Sequence, residues 1–388
     1  MMTVLLSLTL LLLSLGQIGR MSFVGQEVNF YWYEIIVGLT CLFLFAKNFK
    51  SGFRIVKKSF PSVFLFGGAL LISIFLNLRT FSIFEIGVAT LYYFRLIVYL
   101  FFFTLMIAEF KSKSDLKNIF PKLFLGFTLL TVIFGFGQYF LYPDLRNLIY
   151  LGWDPHLYRV FGTFFDTAVA GSVYGLLLTI IFFEKKRFTG GKFWYLLIGL
   201  LTLLCLLSYS RGLYIGLIIT FGLFFVKNKM WKVIGLSVIL FAVVIIFLPK
   251  PFGEGVKLLR TSTVESRLTD GEQAVTLWLK KPIFGFGYNT IRYAKEKDGL
   301  LNAEDRSTTH AGASYHSSYL IILVSSGVAG LAAFIFFIYQ LARSDKNLAY
   351  LTILLCVLSL FDNIFLHPFI LVLYFLYGSY RLSYRYGR

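Results

Sequence analysis

Apolar and polar positions alternate in long blocks along this chain. Runs of about 17 to 25 mostly apolar residues, the length that crosses a bilayer as helix, recur with short basic connectors between them. The pattern predicts twelve helical spans near 2–16, 30–46, 60–77, 83–108, 119–140, 167–183, 193–209, 212–226, 232–248, 316–340, 347–361 and 365–380. The stretch 193–226 is interrupted only by Ser208-Tyr209-Ser210-Arg211-Gly212. As one helix it would reach roughly 50 Å at about 1.5 Å per residue, against a core of about 30 Å, so it folds back at Ser210-Arg211-Gly212. One segment leaves the apolar register altogether, the polar island 249–315, and the apolar run resumes at His316. The expected fold class is an all-α polytopic membrane protein, one domain over 1–388 with the island as a large, partly helical loop within it. The first run, Val4 to Leu15, has the length of a signal-peptide core but no basic start and no small-x-small cleavage site, so it reads as a span.

Composition agrees with this pattern. The chain is 58% hydrophobic and 19% aromatic, with mean hydropathy +0.77, more apolar surface than a soluble domain can hide. The net charge of +18 follows from topology. The alternate connectors 47–59, 109–122, 184–192, 227–232, 341–347 and 381–388 carry 5, 4, 4, 3, 2 and 3 Lys/Arg. The short connectors on the other side carry Arg20, Arg79, Arg146, Arg159 and Arg211. The positive-inside rule makes the basic set and both termini cytoplasmic, and the island faces outward. The basicity is therefore a topogenic signal, helped by anionic lipid heads, and does not indicate nucleic acid. Cys41, Cys205 and Cys356 lie in three different apolar runs and read as free, packed thiols. The outward stretch 141–166, rich in Trp and Tyr, is expected along the interface.

Within the island, Ser262-Thr263-Val264-Glu265 fits a capping box and predicts a helix that carries Arg267 in its first turn. Pro282 ends it, and Gly285 and Gly287 mark a tight loop. The outward side thus collects Arg159, Arg211, Arg267 and His316. Ser210 is placed to cap the eighth span, and Ser262 or Thr263 to cap the island helix. Free N–H groups and the positive dipole end of a helix attract anions, and an Arg fork matches phosphate geometry. Such a set suits a lipid diphosphate beside an imidazole. Each residue also has a plainer reading: an arginine at a span end as an interfacial anchor, Arg267 solvated or paired with Asp270, His316 as a helix-start residue. His310 and His156 read as loop residues and His367 as a packing or capping residue. Arg95 sits in mid-span, where charge is costly, with Glu34 and Glu85 as candidate partners and two readings, structural ion pair or wall of a polar cavity. The sequence has no Asp-x-Asp, His-x-x-x-His or Cys/His cluster, no phosphate-binding or dinucleotide Gly pattern and no Gly-x-Ser-x-Gly. No metal and no cofactor are expected.

The order RVFGTFFDTAVAG, SYSRG, ESRL…WLKKPIFGFGYNTI and HSSYLIILVSSGVAGL resembles the bacterial O-antigen ligase and O-antigen polymerase superfamily, multispan C-type glycosyltransferases of the inner membrane. The resemblance is sharpest from 159 to 331. It implies transfer of a glycan from an undecaprenyl diphosphate carrier to an acceptor hydroxyl, of a lipid A core or of another glycan, on the periplasmic face, inverting and without metal. It also implies that Arg211 and Arg267 are the family's essential arginines and His316 its histidine, with Arg159 at a further basic position; these three arginines, with Ser210 at the helix start, are expected to bind the diphosphate. The alternative from another class is a lipid-linked glycan flippase, which should show paired halves, broken helices and polar residues at mid-depth. The sequence shows Arg95 alone at that depth and no internal repeat.

Overall fold

The computed structural model describes residues 1–188, 191–247, 249, 254–258, 262–302 and 314–385. Each predicted span is met by a helix: α1 (Met2–Ser14), α2 (Trp32–Ser59), α3 (Ser62–Leu76), α4 (Ile83–Ser112), α5 (Ser114–Leu141) and α6 (Thr167–Phe183). After the single turn α7 (Lys185–Phe188) come α8 (Gly191–Leu207), α9 (Arg211–Lys227) and α10 (Trp231–Phe247). The island holds α11 (Ser262–Lys280) and α12 (Ile291–Lys297), and α13 (Ser318–Ser344), α14 (Lys346–Phe361) and α15 (Pro368–Arg385) complete the bundle. α2, α4, α5 and α13 are long and apolar enough to cross a membrane, and α1, α3, α6, α8 and α14 are shorter apolar helices. Large apolar side chains point outward from them, with Leu42 73% and Phe75 70% exposed, a surface made for lipid rather than water. The chain is an all-α polytopic membrane protein.

At the centre stand α6 and α15. Both are buried along almost their whole length, and α4 packs on α2 and α15. Aromatic rings fill the core: Phe103 meets Phe375 at 5.1 Å between ring centres, and Phe120 meets Tyr380 at 4.7 Å.

The basic connectors differ from the expected loops. α2 runs through 47–59, and α4 and α5 are separated by Lys113 alone. Lys is a good helix former, and Lys47 and Lys113 both reach the buried Glu109, at 3.0 and 3.1 Å. Residues 17–29, expected as a plain connector, begin with a 3-10 turn and form most of an antiparallel hairpin. Its strands are β1 (Arg20–Phe23) and β2 (Val28–Tyr31), with Arg20 opposite Tyr31. Val24 and Gly25 at its tip both take positive φ.

The tight loop after Pro282 has a mechanical role. α13 is broken at Gly327 (φ 64°, ψ −166°), and the loop's backbone enters the break. Phe286 N–H donates to Val324 O at 3.0 Å and Gly287 N–H to Ser325 O at 2.8 Å. In return, Val328 N–H donates to Pro282 O at 2.9 Å. A Cβ on Gly285 would lie 2.4 Å from Val324 O, and one on Gly327 2.2 Å from Ile283 C, so backbone passes against backbone with no room for a side chain. A second apolar cluster, including Ala274, Leu277, Phe286, Tyr293, Ile321 and Val324, fixes α11 and α12 on α13.

Candidate active site

A cavity of about 580 Å³ opens at the end of the bundle that carries the island, within the usual range of about 300–1,000 Å³ for ligand sites. Its walls come from segments far apart in sequence: Arg20 and Tyr31 of the hairpin, Trp153 and Asp154, Asp166 before α6, Ser266 of α11, His316, and Asp362 to His367 between α14 and α15. Asp166 also caps α6, accepting from Ala168 N at 2.6 Å and Val169 N at 2.8 Å. The stretch 141–166, expected along the interface, thus lends Trp153 to the cavity, where its ring lies under the Arg20 guanidinium at 5.3 Å.

His316 does not open its span. α13 begins at Ser318, with Ser317 as an extended N-cap, and His316 stands free of the helix at the cavity rim. Asp270 of α11 holds it twice. One carboxylate oxygen accepts from the His316 main-chain N–H at 3.2 Å and meets ring Nδ1. The hydrogen bond that Asp270 accepts raises the imidazole above its ordinary range, against the opposing effect of burial. Burial would raise the Asp270 carboxyl, but its bond to His316, with the nearby charges of His316 and Lys295, holds it below the usual value. With Nδ1 on the carboxylate, Nε2 is the nitrogen left for chemistry.

Arg267 is therefore not the partner of Asp270. Its Nη2 donates to Asp362 at 2.9 Å, and the guanidinium lies 6.0 Å from the Phe361 ring. Arg267 and Asp270 stand three apart on α11, near one face, yet each takes a partner from a different segment. Burial pushes the Asp362 carboxyl up to about 7, with Arg267 opposing. Asp154 is also raised by burial and by the neighbouring Asp166.

Arg211 is the first residue of α9, and its Nη1 donates to Leu258 O of the island at 3.3 Å. It stands within electrostatic reach of Arg267. Two like charges held close are relieved by an anion between them. Arg159 is buried, and its Nε and Nη2 donate to the carbonyls of Ser208 (3.0 Å) and Tyr209 (3.4 Å). It braces the turn that presents Arg211. Ser210 has the backbone position of an N-cap, but its side chain makes no cap bond, contrary to expectation. The turn is tied instead by Ser208, whose Oγ donates to Cys205 O at 2.7 Å and accepts from Ser210 N at 3.3 Å. α11 starts at Ser262, one residue before a box with Ser262 as N-cap would begin it. The capping side chains of Ser262 and Thr263, and His310, lie outside the described residues. Of the predicted residues, only His316 lines the cavity. Arg267 adjoins it through Asp362, and Arg211 stands within electrostatic reach of Arg267.

Asp270, Asp362, Asp154 and Asp166 were not among the predicted site residues. Asp362 left a visible trace, because the Asp362-Asn363 pair interrupts an otherwise apolar stretch. Of Arg95's two candidate partners, Glu34 is the one: Arg95 Nε donates to it at 2.5 Å. Glu85 instead caps its own helix with Ser82.

Residues 195–335 match the O-antigen ligase family, and Arg211, Arg267 and His316 all fall within that stretch. Over 186 residues the chain is 28% identical to the O-antigen ligase of Salmonella typhimurium, which covers 44% of this chain and 44% of that relative. The chain thus spans less than half the length of the curated relative it matches. This matched region, set in a bundle of apolar helices, is what the chain has in common with the O-antigen ligase family.

Proposed function

We propose that this protein is a membrane glycosyltransferase that moves a glycan from an undecaprenyl diphosphate carrier to an acceptor hydroxyl, either of a lipid A core or of another carrier-linked glycan. In this reading the whole chain acts as one domain in the inner membrane, with both termini cytoplasmic and the cavity on the periplasmic side. The observation that carries it is the convergence, inside the matched region, of a carboxylate-held histidine on the cavity rim and two arginines that repel one another beside it.

His316 Nε2 takes the proton of the acceptor hydroxyl as that oxygen attacks the anomeric carbon. Asp270 fixes the ring orientation and stabilises the imidazolium. The anomeric C–O bond breaks, its electron pair passes to the diphosphate, and attack from the opposite face inverts the centre. Arg211 and Arg267 neutralise the charge that accumulates on the leaving group, with Arg159 and Ser210 supporting the turn that carries Arg211. The diphosphate is an activated leaving group, so no nucleotide sugar, cofactor or metal is called for. Purified protein, incubated with the lipid diphosphate glycan and acceptor in the presence of a chelator, should yield glycosylated acceptor and free lipid diphosphate. Movement of intact lipid across vesicles with no new glycosidic bond would favour a flippase instead.

A further inference from the structure

Beside the main cavity lies a smaller one of about 140 Å³, close to the size of a cavity, about 150 Å³, that admits a six-membered ring. The two cavities share Ser314 and Asn363 as walls. The smaller one is lined by Arg95, Tyr92 and Tyr99 of α4 and by Tyr288 and Asn289, which end the Gly-Phe-Gly loop. The clasp between that loop and the break in α13 therefore sets two of its walls.

Arg95 is built into this pocket with care for its charge. Nε bonds Glu34 at 2.5 Å and Tyr99 OH at 3.1 Å, and Nη1 reaches Asn29 O at 3.4 Å. Its guanidinium lies 5.2 Å from the Tyr31 ring and 5.5 Å from Tyr92. Nη2 is buried and has no hydrogen-bond partner among the described residues. A guanidinium already matched by a carboxylate has little to offer an anion, but its remaining N–H groups suit a hydroxyl. Asn289 and Asn363 supply side-chain amides, and Leu96, Ile291 and Leu371 supply apolar wall. Apolar walls with a few fixed polar groups are how proteins orient a small neutral ligand, and a pyranose ring has one apolar C–H face and a rim of hydroxyls.

We propose that this pocket is a carbohydrate subsite that takes a neutral sugar ring of the acceptor, adjacent to the sugar whose hydroxyl meets His316. The proposal rests on the transferase reading above. Neither cavity is lined by Arg211 or Arg267, so a glycan seated here does not compete for the arginines proposed to hold the carrier diphosphate.

The test is steady-state transfer by the full chain in detergent, at saturating lipid-linked donor and varied acceptor. Arg95→Lys keeps a charge beside Glu34 but loses the fork, and Leu371→Trp fills the pocket. Both should raise acceptor KM at least tenfold, with kcat and donor KM within twofold of wild type. A neutral methyl hexopyranoside should compete with acceptor in wild type and lose at least tenfold in potency in Arg95→Lys, which tests the pocket even if Leu371→Trp does not fold. Unchanged acceptor KM and unchanged hexoside inhibition in the variants, beside an active wild type, would overturn the subsite and leave the transferase standing. Equal competition by a methyl uronoside would overturn its preference for a neutral ring. A wild type with no transfer at all would remove the function itself.

Discussion

A single oxygen of Asp270 receives both the main-chain N–H and the ring Nδ1 of His316, 46 residues further along the chain. This double hold fixes the ring by its backbone as well as its edge, and it ties the island helix to the start of α13. In the transferase proposed above, this is how a carboxylate would orient a base.

Asp270→Asn should separate positioning from folding. A neutral amide no longer raises His316, so the acid limb of the kcat profile should move to lower pH while the plateau falls about 10- to 100-fold. The stability sign also follows. His316 is raised, so its contribution is full below about 6.5 and is lost as pH rises through the folded value. Asp270 is lowered, so its contribution is lost as pH falls through its own folded value. The melting difference between wild type and variant should therefore peak between the two. A pH-independent rate loss would defeat the positioning role.

Asp362 should trade stability against activity. Its carboxyl is pushed up to about 7, so its ionisation costs folding free energy as pH rises from its unfolded value toward 7. Asp362→Asn should melt higher than wild type at pH 8 and equal to it near pH 4, while transfer falls about 100-fold because Arg267 loses its counter-charge. Thermal unfolding at the two pH values, with transfer assayed at pH 8, decides this.

Arg211 and Arg159 should fail differently. Arg211→Lys removes a fork beside Arg267 and should lower kcat/KM about 10- to 100-fold with the melting temperature kept. Arg159→Ala leaves two buried carbonyls without their donor and should destabilise by about 2–4 kcal/mol. Arg159→Lys should recover part of that. If Arg211→Lys transfers like wild type, the fork argument is lost.

The clasp at the α13 break should tolerate nothing larger than glycine. Gly327→Ala puts a methyl against Ile283 at a positive φ, and Gly285→Ala does the same against Val324. Each should cost about 3 kcal/mol or more and expose the island to limited proteolysis before the bundle melts. Gly299→Ala, where a Cβ has open space but φ is also positive, should cost only about 1 kcal/mol.

The sequence by itself determined the membrane class and a helix at each of the twelve predicted spans, because apolar runs of bilayer length have few alternatives to helix in lipid. It also determined which basic residues and which histidine stand near helix starts, since those follow from local pattern. It did not show the hairpin at 20–31, whose short strands carry weak periodicity, nor the helical course of the basic connectors, where propensity prevailed over polarity. Tertiary structure alone decided the pairings. Arg267 stands three residues from Asp270 and could have bonded it, yet packing turns Arg267 to Asp362 and Asp270 to His316. The cavity is likewise built from the hairpin, the 152–166 loop, the island helix and the 362–367 turn. Such contacts depend on how helices far apart in sequence are laid side by side, which periodicity along one chain does not encode.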